Sequence, residues 1–160
     1  MAVGGTRPVT LRPQQVKLLA EIDRVLAAGC TRIIAQMPTG GGKTMVASVI
    51  ADKMMKAGKR MIFSVPALSL IDQTVEKFRA EGISKIGVMQ ANHRLTNPDR
   101  PIQIVSVQTL QRRDMPPADM VVLDEVHRWF DAYAEWLEGP WANIPVIGLA
   151  GLSSPREMST

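Results

Sequence analysis

Cysteine, histidine and long apolar runs are scarce in this 160-residue chain, and each shortage removes a class of function. Cys30 is the only cysteine, which excludes an intrachain disulfide and a cysteine-rich zinc site and agrees with a reducing cytosol. It is expected to be buried. The two histidines, His93 and His127, are too few and too far apart to suggest a metal centre without carboxylates. The longest uncharged apolar stretch not broken by several Gly and Pro, Met61 to Ile71, is too short to span a bilayer. Met1-Ala2-Val3-Gly4-Gly5-Thr6-Arg7-Pro8 lacks the basic start and apolar stretch of a secretory signal. The chain is therefore expected to be soluble and cytoplasmic, with no membrane partner.

What is present bounds the size of the fold. A hydrophobic content of 46% over 160 residues gives room for one compact domain and hardly for two. A net charge of +4 suits a polyanionic partner, although the basic residues are spread along the chain.

The most specific segment is Met37-Pro38-Thr39-Gly40-Gly41-Gly42-Lys43-Thr44, directly after the apolar Arg32-Ile33-Ile34-Ala35-Gln36. Three consecutive glycines allow backbone N–H groups to converge on a phosphate without interference from Cβ atoms. The helix that follows points its positive end at the same anion, and Lys43 adds a cation. In the pattern Gly-x-x-x-x-Gly-Lys-Ser/Thr, Gly42, Lys43 and Thr44 take the last three places, and Met37 stands where the first glycine is usual. The segment reads as a phosphate-binding loop, and a glycine-rich strand-to-helix turn is the plainer alternative.

The rest of the chain alternates strands and helices. Thr10 can cap a helix in which Val16, Leu18, Leu19, Ile22, Val25 and Leu26 recur at helical spacing, and Gly29 stops it. A strand over 32–37 leads into the loop, and a helix over 43–57 follows with Val46, Val49, Ile50 and Met54 inward. Further strands are predicted at 61–65, 85–89, 102–107, 120–124 and 145–149, with helices at 68–80, after Val107 and over 125–137. Strands that are apolar throughout and separated by helices indicate a parallel sheet covered on both faces, an α/β fold. Ligands bind such sheets at the carboxyl ends of the strands, where the glycine loop and Asp124 both fall.

Val121-Val122-Leu123-Asp124-Glu125-Val126-His127 supplies two acids at the end of an apolar strand. Acidic pairs also begin helices for dipole reasons, so the pair gains meaning from the loop upstream. Beside a bound triphosphate, Asp124 would hold Mg²⁺ through its waters, and Thr44 would reach the same ion with its hydroxyl. Glu125 would orient and deprotonate the attacking water. His127 sits where it can reach from the γ-phosphate towards whatever the domain senses. A shared Mg²⁺ also explains how adjacent carboxylates tolerate a triphosphate.

Over residues 10 to 150 the chain resembles the first ATP-binding lobe of superfamily 2 DEAD/DEAH-box-type DNA helicases. The nearest group within it includes type III restriction-enzyme motor subunits and excision-repair helicases. The resemblance implies a RecA-like P-loop NTPase domain, with ATP and Mg²⁺ as cofactors and a nucleic acid as partner, DNA favoured over RNA. Pro38, Thr39, Gly40, Gly41, Gly42, Lys43 and Thr44 match the family's phosphate loop. Leu11-Arg12-Pro13-Gln14-Gln15 looks like its upstream element, which would give Gln15, with Arg12, to adenine recognition; Gln14 replaces the usual aromatic residue. Asp124-Glu125-Val126-His127-Arg128 matches Asp-Glu-x-His-Arg, with Val126 where alanine is commonest. Lys43, Asp124, Glu125 and His127 are thus the implied catalytic residues.

Two more segments resemble those that lie along the nucleic-acid backbone in the family. In Val65-Pro66-Ala67-Leu68-Ser69-Leu70-Ile71-Asp72-Gln73 the resemblance points to Pro66 and Gln73. In Ser106-Val107-Gln108-Thr109-Leu110 it points to Ser106 and Thr109, contacts that position a strand without reading its sequence. Trp129, Tyr133 and Trp136 share one helical face and are read as core or lobe-packing residues in preference to a base-stacking platform. His93, Arg94 and Arg100 are read as an ordinary solvated loop in preference to a DNA contact.

Family members end this lobe with Gly-Leu-Ser/Thr-Ala-Thr-Pro. Here Gly148-Leu149 begins that segment, but Ala150-Gly151-Leu152-Ser153-Ser154-Pro155-Arg156 departs from it. Residues 150–160 are therefore atypical. The expectation is a truncated or frame-shifted product that lacks the second RecA-like lobe and its arginine finger, or one to which another chain supplies that lobe in trans. The leading reading is an ATP-dependent helicase or translocase lobe. A non-catalytic ATP- or nucleic-acid-binding module is the alternative. A small-molecule kinase or GTPase leaves Gln15 and Asp-Glu-x-His-Arg without a task.

Overall fold

The computed structural model describes residues 11–38, 42–90, 93–126 and 130–152. The first helix, α1 (Pro13–Ala27), starts where it does because Arg12 is extended, with φ −71° and ψ 154°. Pro13 then occupies the first helical position, where its missing N–H costs nothing. Gln15 folds back so that its Oε1 accepts the Arg12 backbone N–H at 2.8 Å. Thr10, the expected cap, lies outside the described residues.

The first turn of α1 departs from the hydrophobic pattern. Val16, expected inward, is 51% exposed, whereas Gln15 is 5% exposed. The helix faces the core through Leu19 and Ile22, and one turn earlier that face carries Gln15. Cys30, expected to be buried, is exposed. The chain reverses at Gly29 with φ 93°, which leaves Cys30 in the connection before the sheet begins.

The strands are β1 (Arg32–Pro38), β2 (Met61–Val65), β3 (Ile86–Met89), β4 (Ile102–Ser106), β5 (Met120–Asp124) and β6 (Val146–Leu152). They form one sheet in the order β1-β6-β5-β2-β4-β3, and every pairing is parallel. Between them run α2 (Lys43–Lys56), α3 (Ile71–Ala80, after a 3-10 turn at Leu68–Leu70), α4 (Val107–Arg112) and α5 (Phe130–Glu138).

Parallel strands buried on both faces need apolar cover on each side, and two clusters supply it. On one face Leu19 and Ile22 of α1, Val46, Ile50 and Met54 of α2, and Val75 and Phe78 of α3 pack on Phe63, Ile104, Val122 and Ile147. On the other, Val107 and Leu110 of α4 and Tyr133 of α5 join Trp141 over Ile62, Val105, Val121 and Leu123. The expected α/β architecture, with helices on both faces of a parallel sheet, is the observed one.

Two boundaries differ from the sequence pattern. The helix expected over 125–137 is assigned from Phe130, and Glu125 sits in the left-handed region at φ 50°. The last strand, expected to stop at Leu149, runs on to Leu152 because its pairing with β1 continues through Pro38↔Leu152. Tyr133 is 1% exposed and stacks near Trp136 and Trp141, in keeping with a packing role for this aromatic face. Trp129 lies outside the described residues.

Candidate functional site

The carboxyl ends of β1 and β5 are brought together by β6, which lies between them. Its register sets Met37 beside Gly151 and Asp124 beside Leu149. α2 starts from the β1 end. Gly42 takes φ 79°, a conformation that favours glycine, and its carbonyl accepts the Val46 N–H at 3.1 Å. A Cβ at Gly42 would overlap Nε2 of Gln15, so the buried Gln15 side chain lies directly against the start of α2. The sequence separates these residues widely, and the fold makes them neighbours.

Lys43 opens α2 and reaches across to the end of β5. Its Nζ lies 3.5 Å from Asp124 Oδ1 and 3.4 Å from Glu125 Oε1. Burial pushes the Asp124 carboxyl above its usual pKa; the Lys43 cation pulls it back in part, and the Glu125 charge pushes it further up. Asp124 Oδ1 is buried and accepts no hydrogen bond among the described residues. A desolvated acidic oxygen whose cation partner, the Lys43 ammonium, stands 3.5 Å away is a position that a second cation can fill.

The strain at this corner is local. Left-handed backbone at a non-glycine residue costs about 1 kcal/mol, so its place at Glu125 marks a constrained turn. That turn brings the Glu125 carboxylate alongside Lys43. Thr44 follows in the first turn of α2, half-buried. A cavity of about 440 Å³ is lined by Gly42, Lys43, Thr44 and Met45 together with Lys77, Ala80 and Glu81. Nothing in the sequence pattern singles out the last three.

Pro38 is the last residue of β1. Thr39, Gly40, Gly41 and His127 lie outside the described residues. Arg12 is exposed at the start of α1, near the Gln15 contact. No group of three or more His, Cys, Asp or Glu is arranged to hold a metal among the described residues, so a metal here would rest on few protein ligands.

The sequence matches the family described as "Type III restriction enzyme, res subunit" over residues 8–147. The chain belongs to this family.

Relatives of this type III res-family chain include a restriction-enzyme subunit and a probable helicase. It is 26% identical over 151 residues to the type I restriction enzyme EcoKI endonuclease subunit of Escherichia coli K12, covering 84% of this chain and 13% of that protein. It is 28% identical over 122 residues to the probable helicase HelY of Mycobacterium leprae, covering 70% and 12%. The chain thus spans about an eighth of the length of these curated relatives. Among solved structures, the UvsW helicase of bacteriophage T4 superposes with a TM-score of 0.73 at 18% identity, covering 92% of this chain and 54% of that one. A Sulfolobus solfataricus SWI2/SNF2 ATPase core in complex with dsDNA gives 0.70 at 17% identity, covering 96% and 34%. The family match assigns the chain to a helicase-type family, and the fold it shares with these structures is RecA-like.

The other segments singled out in this res-family chain also gather at the carboxyl ends of the strands. Val65 pairs with Ser106, so the turns after β2 and β4 lie side by side. Ser106 is fully buried, and its Oγ accepts the Thr109 N–H at 3.2 Å, capping α4. Its hydroxyl also bonds Thr109 Oγ1 at 3.1 Å. Pro66 is buried, and its carbonyl accepts from Gln108 Nε2 at 3.3 Å. Gln73 is exposed on the first turn of α3. Gln108, which joins the two turns, carries no motif signal of its own.

His93 is held rather than free in its loop. Its Nδ1 accepts the Leu95 N–H at 3.0 Å, which puts the ring proton on Nε2, 2.7 Å from Asp72 Oδ1 on α3. This ties the segment after β3 to the start of α3. Among the described residues, no helix is long and apolar enough to cross a membrane.

Proposed function

We propose that the chain is the ATP-binding half of a cytoplasmic nucleic-acid motor, in which ATP binding and hydrolysis drive movement along DNA. The convergence of Lys43, Asp124 and Glu125 at the start of α2 carries this reading. A triphosphate laid on the 38–44 loop would draw the Lys43 ammonium away from the two carboxylates and onto phosphate oxygens. Gln15, which lies against Gly42, would take the adenine, with Arg12 beside it. Pro38, Thr39, Gly40, Gly41 and Gly42 would supply backbone N–H groups or space for the phosphates.

Mg²⁺ fits the residues present, because among the described residues the buried Asp124 Oδ1 accepts no hydrogen bond and burial raises the carboxyl pKa. Asp124 and the Thr44 hydroxyl would hold the ion, which supplies neutralisation of phosphate charge. Glu125 then orients the attacking water and takes its proton, and the constrained turn at φ 50° fixes where its carboxylate stands. His127 would couple the nucleotide to the nucleic acid.

Gln73 and Thr109 would line the strand-end surface along which the nucleic-acid backbone runs, over the buried Pro66 and Ser106. The buried Ser106 acts there by shaping the first turn of α4, whose Thr109 is half-buried. DNA is favoured over RNA because the family is one of restriction enzymes and because a structure of the same fold is a complex with dsDNA. A second RecA-like lobe, from the same or another polypeptide, would close over the nucleotide and supply the arginine finger, worth ~10³ or more in rate in related phosphate-loop enzymes.

Single-turnover ATP hydrolysis with DNA present, compared between the wild type and Glu125→Gln, tests the reading. The expected result is DNA-dependent hydrolysis in the wild type and retained ATP binding without hydrolysis in the variant. Equal hydrolysis in both contradicts the role of Glu125. Binding without turnover in the wild type favours a non-catalytic binding module.

A further inference from the structure

The opposite end of the sheet carries a basic groove that the nucleotide site does not use. Lys59 and Arg60 precede β2, Lys85 precedes β3, and Arg100 precedes β4 by two residues. Met61 and Ile86 are both in register with Ile102, so these entries line up along the amino ends of the strands. A cavity of about 600 Å³ lies there, and one of about 510 Å³ that shares Arg60, Asn97 and Asp99 with it continues along the edge strand to Val88 and Met89. Lys59, Lys85 and Arg100 line the first, and Arg113 lines the second. Among the described residues, Asp99 is the only carboxylate in either lining.

The wall of this groove is held in place from beneath. Gln103 Nε2, on the buried β4, donates to the carbonyls of Asn97 at 2.8 Å and Arg100 at 2.9 Å. Arg60 Nη2 donates to Pro98 O at 2.7 Å, and the Asp99 N–H donates to Asn97 Oδ1 at 3.0 Å. Gly87 permits the approach, since a Cβ there would overlap the Asn97 carbonyl and Gln103 Nε2. The nearby carboxylate Asp119 accepts the Arg60 backbone N–H at 2.9 Å. Lys59, Lys85, Arg100 and Arg113 form no ion pair among the described residues.

We infer that this groove binds the phosphate backbone of a nucleic acid, at a second surface on the end of the sheet away from the nucleotide site. Cations without carboxylate partners on a fixed wall offer sites for phosphate with little ordering cost, because Arg60 and the 97–100 segment are already held. A cavity across three strand entries that continues into a second along the edge strand fits a polymer better than a single phosphate group. Contacts of this kind carry no sequence preference. The surface would hold a second stretch of the same nucleic acid, or the returning strand, apart from the Gln73 and Thr109 surface.

The test is fluorescence anisotropy of a labelled DNA oligonucleotide with the full chain across a salt series. The wild type is compared with the combined Lys59→Gln, Lys85→Gln, Arg100→Gln variant and with Lys59→Arg, Lys85→Arg, which keeps the charge. The expected result is a fall in affinity of about tenfold or more in the glutamine variant. Its salt dependence should be shallower by about 0.7–0.9 in log–log slope for each phosphate that is no longer neutralised. The arginine variant should bind DNA like the wild type, and all three proteins should bind ATP equally. Unchanged DNA affinity and slope in the glutamine variant overturn the inference, and point to another occupant such as an acidic protein surface. Salt-independent or undetectable binding by the wild type also overturns it, as does equal weakening in the arginine variant.

Discussion

Val126 rests on the bare backbone of Gly148: a Cβ at Gly148 would stand 2.9–3.0 Å from the Val126 side chain. Gly148 is on β6, between the strands that carry the two halves of the site, and Val126 directly follows Glu125. The contact therefore sets how closely the Asp124-Glu125 corner sits on the sheet.

Gly148→Ala should destabilise the protein by about 1–3 kcal/mol through this overlap and weaken ATP binding by displacing the corner. Val126→Ala, which restores the alanine commonest at that place in the family motif, should recover most of both losses when combined with it. Chemical denaturation of the two single variants and the double variant measures the coupling. Additive losses would show that Val126 is not what the new methyl group meets.

Asp124 gives a prediction in which stability and function move in opposite directions. Its carboxyl pKa is raised in the fold, chiefly by burial, so the native state holds its proton to higher pH than the unfolded chain does. Stability is thus lost as pH rises from the ordinary aspartate value through the raised one. Asp124→Asn should remove that loss and so stabilise the nucleotide-free protein at neutral pH. The same change should abolish the dependence of ATP binding on Mg²⁺. Thermal melts at several pH values, with and without Mg²⁺ and ATP, report both effects.

The fold was legible in the sequence wherever one chemical pattern ran through a whole element. Apolar strands such as Met61-Ile62-Phe63-Ser64-Val65 and the periodic helix after Lys43 give a parallel α/β sheet, because burial on both faces leaves few alternatives. Failures came where a tertiary contact outweighed local preference. Gln15 is buried in place of Val16 because it lies against Gly42, and β6 runs past Leu149 because β1 remains available to pair with it. Cys30 is exposed because the turn at Gly29 leaves it outside the sheet. In the site, Lys43 was readable from the phosphate-loop pattern, and Asp124 and Glu125 from the Asp-Glu-x-His pattern. Lys77, Glu81 and Gln108 were not, since each reaches its place through packing between elements distant in sequence.

Tyr133 is the only tyrosine of the chain, which makes it a spectroscopic probe of the core. Burial pushes its pKa up to about 12, with Asp124 adding to the rise and Ser64 Oγ, 3.3 Å from its hydroxyl, opposing it. The raised value means that stability falls as pH climbs from about 10 towards that value. Ultraviolet titration should show almost no tyrosinate at pH values where an exposed tyrosine is half ionised. Ionisation near the ordinary value would mean that this face of the sheet is open to water.

Arg32 clamps the entry to β6. Its guanidinium donates to the carbonyls of Ile144 at 2.7 Å, Trp141 at 2.8 Å, Leu137 at 3.1 Å and Ala142 at 3.2 Å. A lysine cannot reproduce that planar fork, so Arg32→Lys should cost about 1–3 kcal/mol despite keeping the charge. Denaturant unfolding measures it. A loss as small as that of a typical surface substitution would mean that the carbonyls are satisfied by water.

The central claim is that Gly42, Lys43 and Thr44 meet Asp124 and Glu125 to form one Mg²⁺-dependent ATP site. Calorimetric titration of ATP with Mg²⁺ into the wild type and Lys43→Ala tests it most directly. The account predicts measurable binding by the wild type and at least a roughly tenfold weaker affinity in the variant, whose charge-assisted phosphate contact is gone. Equal affinity in the two proteins would contradict it.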